Sequence, residues 1–475
     1  QRVNFAKSTI DEYEKELVHP ALPLSVRAYD ADGREIKAYL LQAQKDHFMY
    51  LQDDTAPEVY KVNRCKVALL MPQCRYGVSA ITLIPERTRQ PEIIELCEQI
   101  ENEYYCIGSD KNGAFSVLDK HTGKTYTGVG KLIDKADAGD EYTYAWPEND
   151  CVYTPDVQNL TYCAQAIPQG KQTLVLQGIF SLPEALTADR KTRSEVMTDC
   201  SVRVEAILYP GIPYIDFNVV FDNHAKDHIL QMEIPAGVLT QKTWASTAFS
   251  ITEHDTDVIV PKEWMEYPFS TQPTHGFIAT ENESAGVGVA CDGIMEYEAV
   301  KNQQTSLRIT LLRCVGWLSR VDLKTRVGNG GWELETPKGQ CLGLQTFHMS
   351  AIYYRGSWRQ NNVVAWSERM LHPLYLQQAM LTEQTLAPAR AAAFLSDLPT
   401  DVRLSAYKPS EDRMGVVLRV YSIAAEKRQV TLEFCAKEVF TCNLAEEERK
   451  PANFKQNVLS FEIAPGQIST FYLLP

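Results

Sequence analysis

Residues 214–221 read YIDFNVVF, and their order decides what kind of fold the chain builds. Ile215, Phe217, Val219 and Phe221 fall on one side of an extended chain, and Tyr214, Asp216 and Asn218 fall on the other. A repeat of two belongs to a half-buried strand; a helix repeats its apolar residues every three to four positions. The alternation returns in SLRITLL, with Leu307, Ile309 and Leu311 on one face, and near the end in VVLRVYSI, QVTLEF and NVLSFEI. Asp32-Gly33, Asn112-Gly113 and Thr122-Gly123 are dipeptides suited to the positive φ angles of hairpin turns, and Pro210-Gly211 and Pro465-Gly466 mark further turns. Only TIDEYEKEL, residues 9–17, and the stretch Pro183 to Leu186 hint at helix. The pattern predicts an all-β protein of antiparallel β-sandwiches.

Two polar or Ala/Pro-rich stretches interrupt the strands: ERTRQPE at 86–92 and LAPARAAAFLSDLPT at 386–400. They predict a small β domain over 1–90, a large one over 91–385, and a linker with a terminal small sandwich over 386–475. A chain of 475 residues exceeds what one core usually organises, so two or three domains are expected.

Hydrophobic residues at 44% and charged residues at 23% are the balance of a soluble globular protein. A formal net charge of −14 argues against nucleic acid and anionic membrane surfaces as partners, because both attract basic patches. No apolar run approaches the ~18–20 residues of a membrane span. The first twenty residues lack the basic head and apolar middle of a secretion signal, and the first residue is Gln1, so a processed chain or a piece of a longer one is expected. Twelve cysteines without a CxxC pair predict buried free thiols in a reducing cytoplasm. In that compartment the sequons at Asn159 and Asn282 are chance matches.

Four tracts carry candidate chemistry. DKADAGDEYTYAWPEND, residues 134–150, sets six carboxylates around three aromatic rings. Read as a strand, EYTYAWP points Tyr142, Tyr144 and Trp146 one way, either to stack on sugar C–H faces or to fill a core. Asp137 and Asp140 are suited either to sugar hydroxyls or to capping the turn at Ala138-Gly139 through their own backbone. In FDNHAKDH, His224 and His228 sit four apart but between strands, so a hairpin turn is expected rather than a metal-ligand face. TEHDTD, around His254, reads as a solvated loop. In the fourth tract, residues 316–343, Gly328, Gly330 and Gly331 predict a tight irregular loop that fixes Arg326. A guanidinium so held suits bidentate contact with paired hydroxyls or a carboxylate, or an ion pair that pins the loop. The chain contains no nucleophile elbow, phosphate loop or HExxH.

Beyond these patterns, ENEYYCIGSDKNGAFSVLDKHTGKTYTG with DAGDEYTY resembles the opening of the large β domain of glycoside hydrolase family 38, the α-mannosidases. YPGIPYIDFNVVFDNHAKDHILQMEIP, LLRCVGWLSRVDLKTRVGNGG and PKGQCLG resemble that domain further on, and LSAYKPSEDRMGVVLRVYS resembles the family's terminal sandwich. The likeness runs in order over residues 93–475 and is nearest to bacterial members. It implies a galactose-mutarotase-like supersandwich with smaller flanking β domains. It also implies a retaining exo-α-mannosidase whose catalytic aspartate, second carboxylic acid and zinc ligands lie on an N-terminal barrel. A helix bundle follows that barrel. No His-x-Asp zinc pair occurs in this chain, so the resemblance implies a C-terminal portion that is inactive and zinc-free alone. Its partners would be an α-mannoside, the barrel and bundle of the same polypeptide, and further copies of itself in a homo-oligomer. Tyr142 and Arg326 match the tyrosine and arginine that the family lends to the sugar rim, with Asp140 beside them and Tyr144 as the alternative tyrosine. Two other readings stand beside this one. One is a stand-alone carbohydrate-binding module. The other is a mutarotase-like epimerase, which needs a His and a Glu in one cleft, with His254, His275 and His348 as donors.

Overall fold

The computed structural model describes residues 2–5, 21–50, 58–71, 76–88, 94–96, 98–110, 112–167, 170–258, 263–372, 374–377 and 392–475. TIDEYEKEL lies outside the described residues. The chain divides into two compact units, Ile93–Pro373 and a second made of Gln1–Glu92 with Leu374–Pro475.

In the first unit the deciding stretch forms the strand Ile215–Asn223, which pairs antiparallel with Met197–Leu208 on one side and Gly343–Tyr354 on the other. Ile215, Phe217, Val219 and Phe221 are buried, and each such side chain contributes roughly 1.5–3 kcal/mol when removed from water. This strand lies near the middle of a ten-stranded sheet. A five-stranded sheet and a four-stranded sheet complete one shared core, to which they bring Leu230, Met232, Leu307 and Ile309, and Ile107 and Phe115. The predicted turns lie where expected: Gly113 and Gly123 both take positive φ, 73° and 71°, in the hairpins around strand Phe115–Asp119.

One feature of the five-stranded sheet places the site. Strands Lys131–Ala136 and Thr305–Cys314 flank His228–Pro235, and each is antiparallel to it. They therefore run the same way, and Ala136 and Cys314 both register with His228. The segments that follow, from residue 137 and from residue 315, thus leave the sheet at the same end.

In the second unit, residues 402–474 form two small sheets around Leu418, Val420, Val430, Leu432, Leu459 and Phe471. A smaller cluster gathers Val26, Cys65 and Val67. Strand Ala392–Ala393 pairs with Gly77–Val78, which joins the segment before the first unit to the segment after it.

Three local expectations are corrected. EYTYAWP is not a strand: none is present between Ala136 and Leu160. TEHDTD is not a loop, because Ser250–Asp255 forms an edge strand on Lys242–Thr247. Pro183 to Leu186 is not helical; Pro183 ends the strand Gln172–Pro183. The helix described is instead Val363–Leu371, and it packs Val363 where a side chain on Gly288 would stand, 2.3 Å from that position.

Candidate functional site

Three irregular segments, 137–150, 263–270 and 315–341, are stitched together at the end and outer face of the five-stranded sheet. The stitches are backbone bonds: Glu141 N donates to Trp317 O at 3.0 Å, Tyr267 N to Thr325 O at 2.8 Å, and Val327 N to Met265 O at 2.9 Å. Residues 186 apart in sequence meet at their centre.

There the Arg326 guanidinium faces the Asp140 carboxylate with both arms, Nη2 to Oδ2 at 2.6 Å and Nη1 to Oδ1 at 3.3 Å. Its remaining N–H groups reach the Thr143 hydroxyl at 2.5 Å, Ser319 Oγ at 3.3 Å, and the carbonyls of Arg320 and Gly328. Asp140 is fully buried and also accepts from the backbone N–H groups of Tyr142, Thr143 and Arg320. Burial opposes its charge, but Arg326 and those N–H groups outweigh burial and hold the carboxyl below its ordinary value. Asp137, one turn earlier, is also fully buried; it accepts from Arg313 Nε at 2.8 Å and from Gly139 N at 2.8 Å. For this carboxyl burial prevails over Arg313 and pushes the pKa up.

This buried network holds one exposed ring. Ser319 Oγ accepts from Gly330 N at 3.0 Å and Gly331 N at 3.1 Å, which pins the glycine loop beside Tyr142. A Cβ on Gly331 would lie 2.9 Å from the Tyr142 hydroxyl, and one on Gly330 would lie 3.1 Å from its ring, so only glycine lets the ring lie on this backbone. Tyr142 itself remains 56% exposed.

Beside it lies a cavity of about 260 Å³, lined by Tyr144, Trp146, Tyr267 and Phe269 above Lys135 and Glu298 of the sheet. The rings meet edge to face: Tyr144 with Phe269 at 5.5 Å and Trp146 with Tyr267 at 5.2 Å between centroids. Lys135 Nζ bonds Glu298 Oε1 at 2.9 Å and lies 5.5 Å from the Tyr144 ring centre. Burial, then the nearby Asp137 charge, pushes the Tyr144 phenol well above its usual range. Trp264, Met265, Val327 and Trp332, on the same stitched segments, are each more than 60% exposed.

The structure thus brings Tyr142, Asp140 and Arg326 together, and it separates Tyr142 on the glycine loop from Tyr144 in the aromatic cluster. It does not bring the three histidines together. His254 lies on the edge strand of the ten-stranded sheet and His348 on Gly343–Tyr354, four strands away, or about 19 Å at ~4.8 Å per strand. His275 lies on neither strand; its N–H donates to Ser246 O at 2.8 Å. His228 is fully buried, with its ring nitrogens on Asp134 and Asn223, and the His224 ring lies 3.3 Å from Asp222. Among the described residues, no group of three or more His, Cys, Asp or Glu is placed to hold a metal ion. A zinc ion therefore finds no donor set in them. Sequence reasoning missed Ser319, Thr143 and Arg313, the polar clamps of the network; Ser and Thr inside irregular loops give no periodic signal.

The residues 100–318 match the profile of the glycosyl hydrolases family 38 C-terminal domain, and residues 401–471 match that of the family's C-terminal beta sandwich domain. Together the two matches take in well over half of the chain. A protein of Halalkalibacterium halodurans, named "Putative mannosylglycerate hydrolase", is 27% identical over 397 residues, which are 78% of this chain and 41% of that protein. An alpha-mannosidase from Enterococcus faecalis shares the fold over the whole chain, with a TM-score of 0.80 and 20% identity, over 53% of its own length. A second glycosyl hydrolase family 38 structure from the same organism gives 0.78 and 19%, over 56% of its length. The chain spans about half, or less, of the length of these relatives.

Proposed function

This chain belongs to glycosyl hydrolase family 38, as the C-terminal part of a member, and from that premise we propose that the whole protein is a retaining α-mannosidase. In this reading the barrel of the same polypeptide carries the catalytic pair. Two carboxyl groups divide the work, one as nucleophile and one as acid and then base. The β region described here supplies a wall of the substrate site. The observation that carries the reading is the exposed Tyr142 ring, laid on a glycine backbone that a buried Arg326–Asp140 pair and Ser319 hold rigid. An exposed phenol fixed in this way can donate to a sugar hydroxyl without losing rotamer freedom on binding. Asp140 and Arg326 are committed to one another, so they serve the sugar through Tyr142. The exposed Trp264, Met265, Val327 and Trp332 form the apolar ground on which the barrel packs.

The described residues do not fit a zinc ion, and no step of this reading runs through one. The name of the H. halodurans relative makes a mannosylglycerate the first natural substrate to assay, with aryl α-mannosides beside it. The test uses the full-length protein and this chain alone. The full-length protein should release mannose, and NMR of the first-formed sugar should show the α-anomer. This chain alone should release none. A β-anomer as first product refutes the retaining mechanism, and turnover by this chain alone refutes its role as a wall.

A further inference from the structure

Segment 315–340 carries Ser319, Arg326 and the two glycines under Tyr142, and a cysteine brackets it at each end. Cys314 closes the strand Thr305–Cys314 and is buried. Cys341 follows the short 3-10 turn Pro337–Gln340 with a left-handed φ of 48° and is half-buried. The Asn223 side chain ties the two ends, donating to Cys314 Sγ at 3.5 Å, Gln340 O at 3.1 Å and Cys341 O at 3.2 Å. Gly339 O accepts from Val315 N at 3.2 Å and from the Cys341 thiol at 3.5 Å, so Cys341 Sγ lies beside the backbone that follows Cys314. The ten described cysteines are all free thiols.

We propose that Cys314 and Cys341 form a reversible oxidation site, which closes to a disulfide across the base of segment 315–340 when a low-molecular-weight disulfide, RSSR, is in excess. The burial of Cys314 leaves Cys341 as the sulfur that meets the oxidant. The neighbouring Cys314 side chain, against the cost of burial, and after it the His228 ring lower the Cys341 thiol and raise its thiolate fraction. Cys341 Sγ attacks one sulfur of RSSR, forms a mixed disulfide and releases RS⁻. Cys314 then gives its proton to that thiolate and attacks Cys341 Sγ, and the second RS⁻ leaves with the proton that Cys341 shed. The two protein thiols are oxidised and RSSR is reduced to two RSH. The disulfide closes a chain loop around the segment and restricts its opening. The inference does not depend on the substrate of the parent enzyme.

The test treats the whole chain with oxidised glutathione, alkylates the remaining thiols and maps peptides without reduction. The expected result is a peptide pair linked through Cys314 and Cys341, two fewer titratable thiols at these positions, and full reversal by dithiothreitol. Protease cleavage within 315–340 should slow on oxidation. In Cys314→Ala, Cys341 should instead keep glutathione as a stable mixed disulfide, because the resolving thiol is gone. Exposed Cys151 and Cys435 report that the oxidant acted. Two results in the wild-type chain overturn the proposal: glutathione retained on Cys341 with no cross-link, or both thiols unmodified while Cys151 and Cys435 are capped. The wild-type map is decisive even if the variant fails to fold.

Discussion

Replacing Arg326 with Met keeps most of the side-chain stem and removes the guanidinium. The buried Asp140 carboxylate then loses its only bidentate partner, at 2.6 and 3.3 Å, while its burial is unchanged. Breaking one half of a buried, hydrogen-bonded ion pair costs about 3–5 kcal/mol, because the remaining charge is stranded. The cost falls on the stitched segments, so hydrogen exchange reads it locally. Amides of Thr143, Arg320, Gly330 and Gly331 should lose roughly a hundredfold to several thousandfold in protection, capped by the stability of the unit. The sign of the pH dependence follows from the lowered pKa of Asp140. In the wild-type protein its contribution is present above the ordinary carboxylate value and is lost as pH falls through the lower folded value. Without Arg326 only the backbone N–H groups of Tyr142, Thr143 and Arg320 are left to oppose burial, so the carboxyl rises from its wild-type value and the penalty should shrink from pH 7 to pH 4. Lys191→Met removes an exposed partner of Glu148 and should change protection by no more than the ~1 kcal/mol of a surface pair. If Arg326→Met changed exchange no more than Lys191→Met does, the network would not be what holds the loop.

Gly331→Ala should push Tyr142 off its backbone seat, since the new Cβ would stand 2.9 Å from the hydroxyl; a crystal structure with an unmoved ring contradicts this. Asp216 is almost fully buried beside His348, and burial pushes its carboxyl up to about 7. A raised folded pKa favours the folded state at low pH and costs stability as pH rises from the unfolded value toward 7. Asp216→Asn should therefore be near neutral at pH 4 and stabilising by as much as about 4 kcal/mol at pH 8, read by urea melts at the two pH values. Trp332→Ser should make this chain more soluble alone, and should weaken its capture of a separately expressed N-terminal half; unchanged capture removes that surface from the interface.

The strand Ile215–Asn223 was legible because one face is core and the other is not, and period two needs that contrast. EYTYAWP shows the limit of the same signal. Exposed Tyr142, buried Thr143, half-buried Tyr144 and buried Ala145 do alternate, yet the segment pairs with no strand. Alternation reports an extended backbone, and here its hydrogen bonds go to loops, as when Thr325 Oγ1 donates to Tyr144 O. In Ser250–Asp255 the reverse holds: an edge strand is mostly solvated on both faces, so TEHDTD carries charges that suit an unpaired edge and conceal the strand. Helix Val363–Leu371 is short and begins at Asn362 in a left-handed conformation, without a side-chain cap to announce it. For the site, the glycine loop and the aromatic run were visible as composition. The pairing of Asp140 with Arg326 was not, because it depends on two parallel-running strands releasing distant segments at one end of a sheet.

The most direct test of the account is kcat/KM of the full-length protein on an aryl α-mannoside, with Tyr142 intact and as Tyr142→Phe. Loss of one hydrogen bond to a neutral sugar hydroxyl, worth roughly 0.5–1.5 kcal/mol, predicts a fall of about two- to thirteenfold, with the thermal melt unchanged. An unchanged kcat/KM contradicts the placement of this β surface at the sugar site.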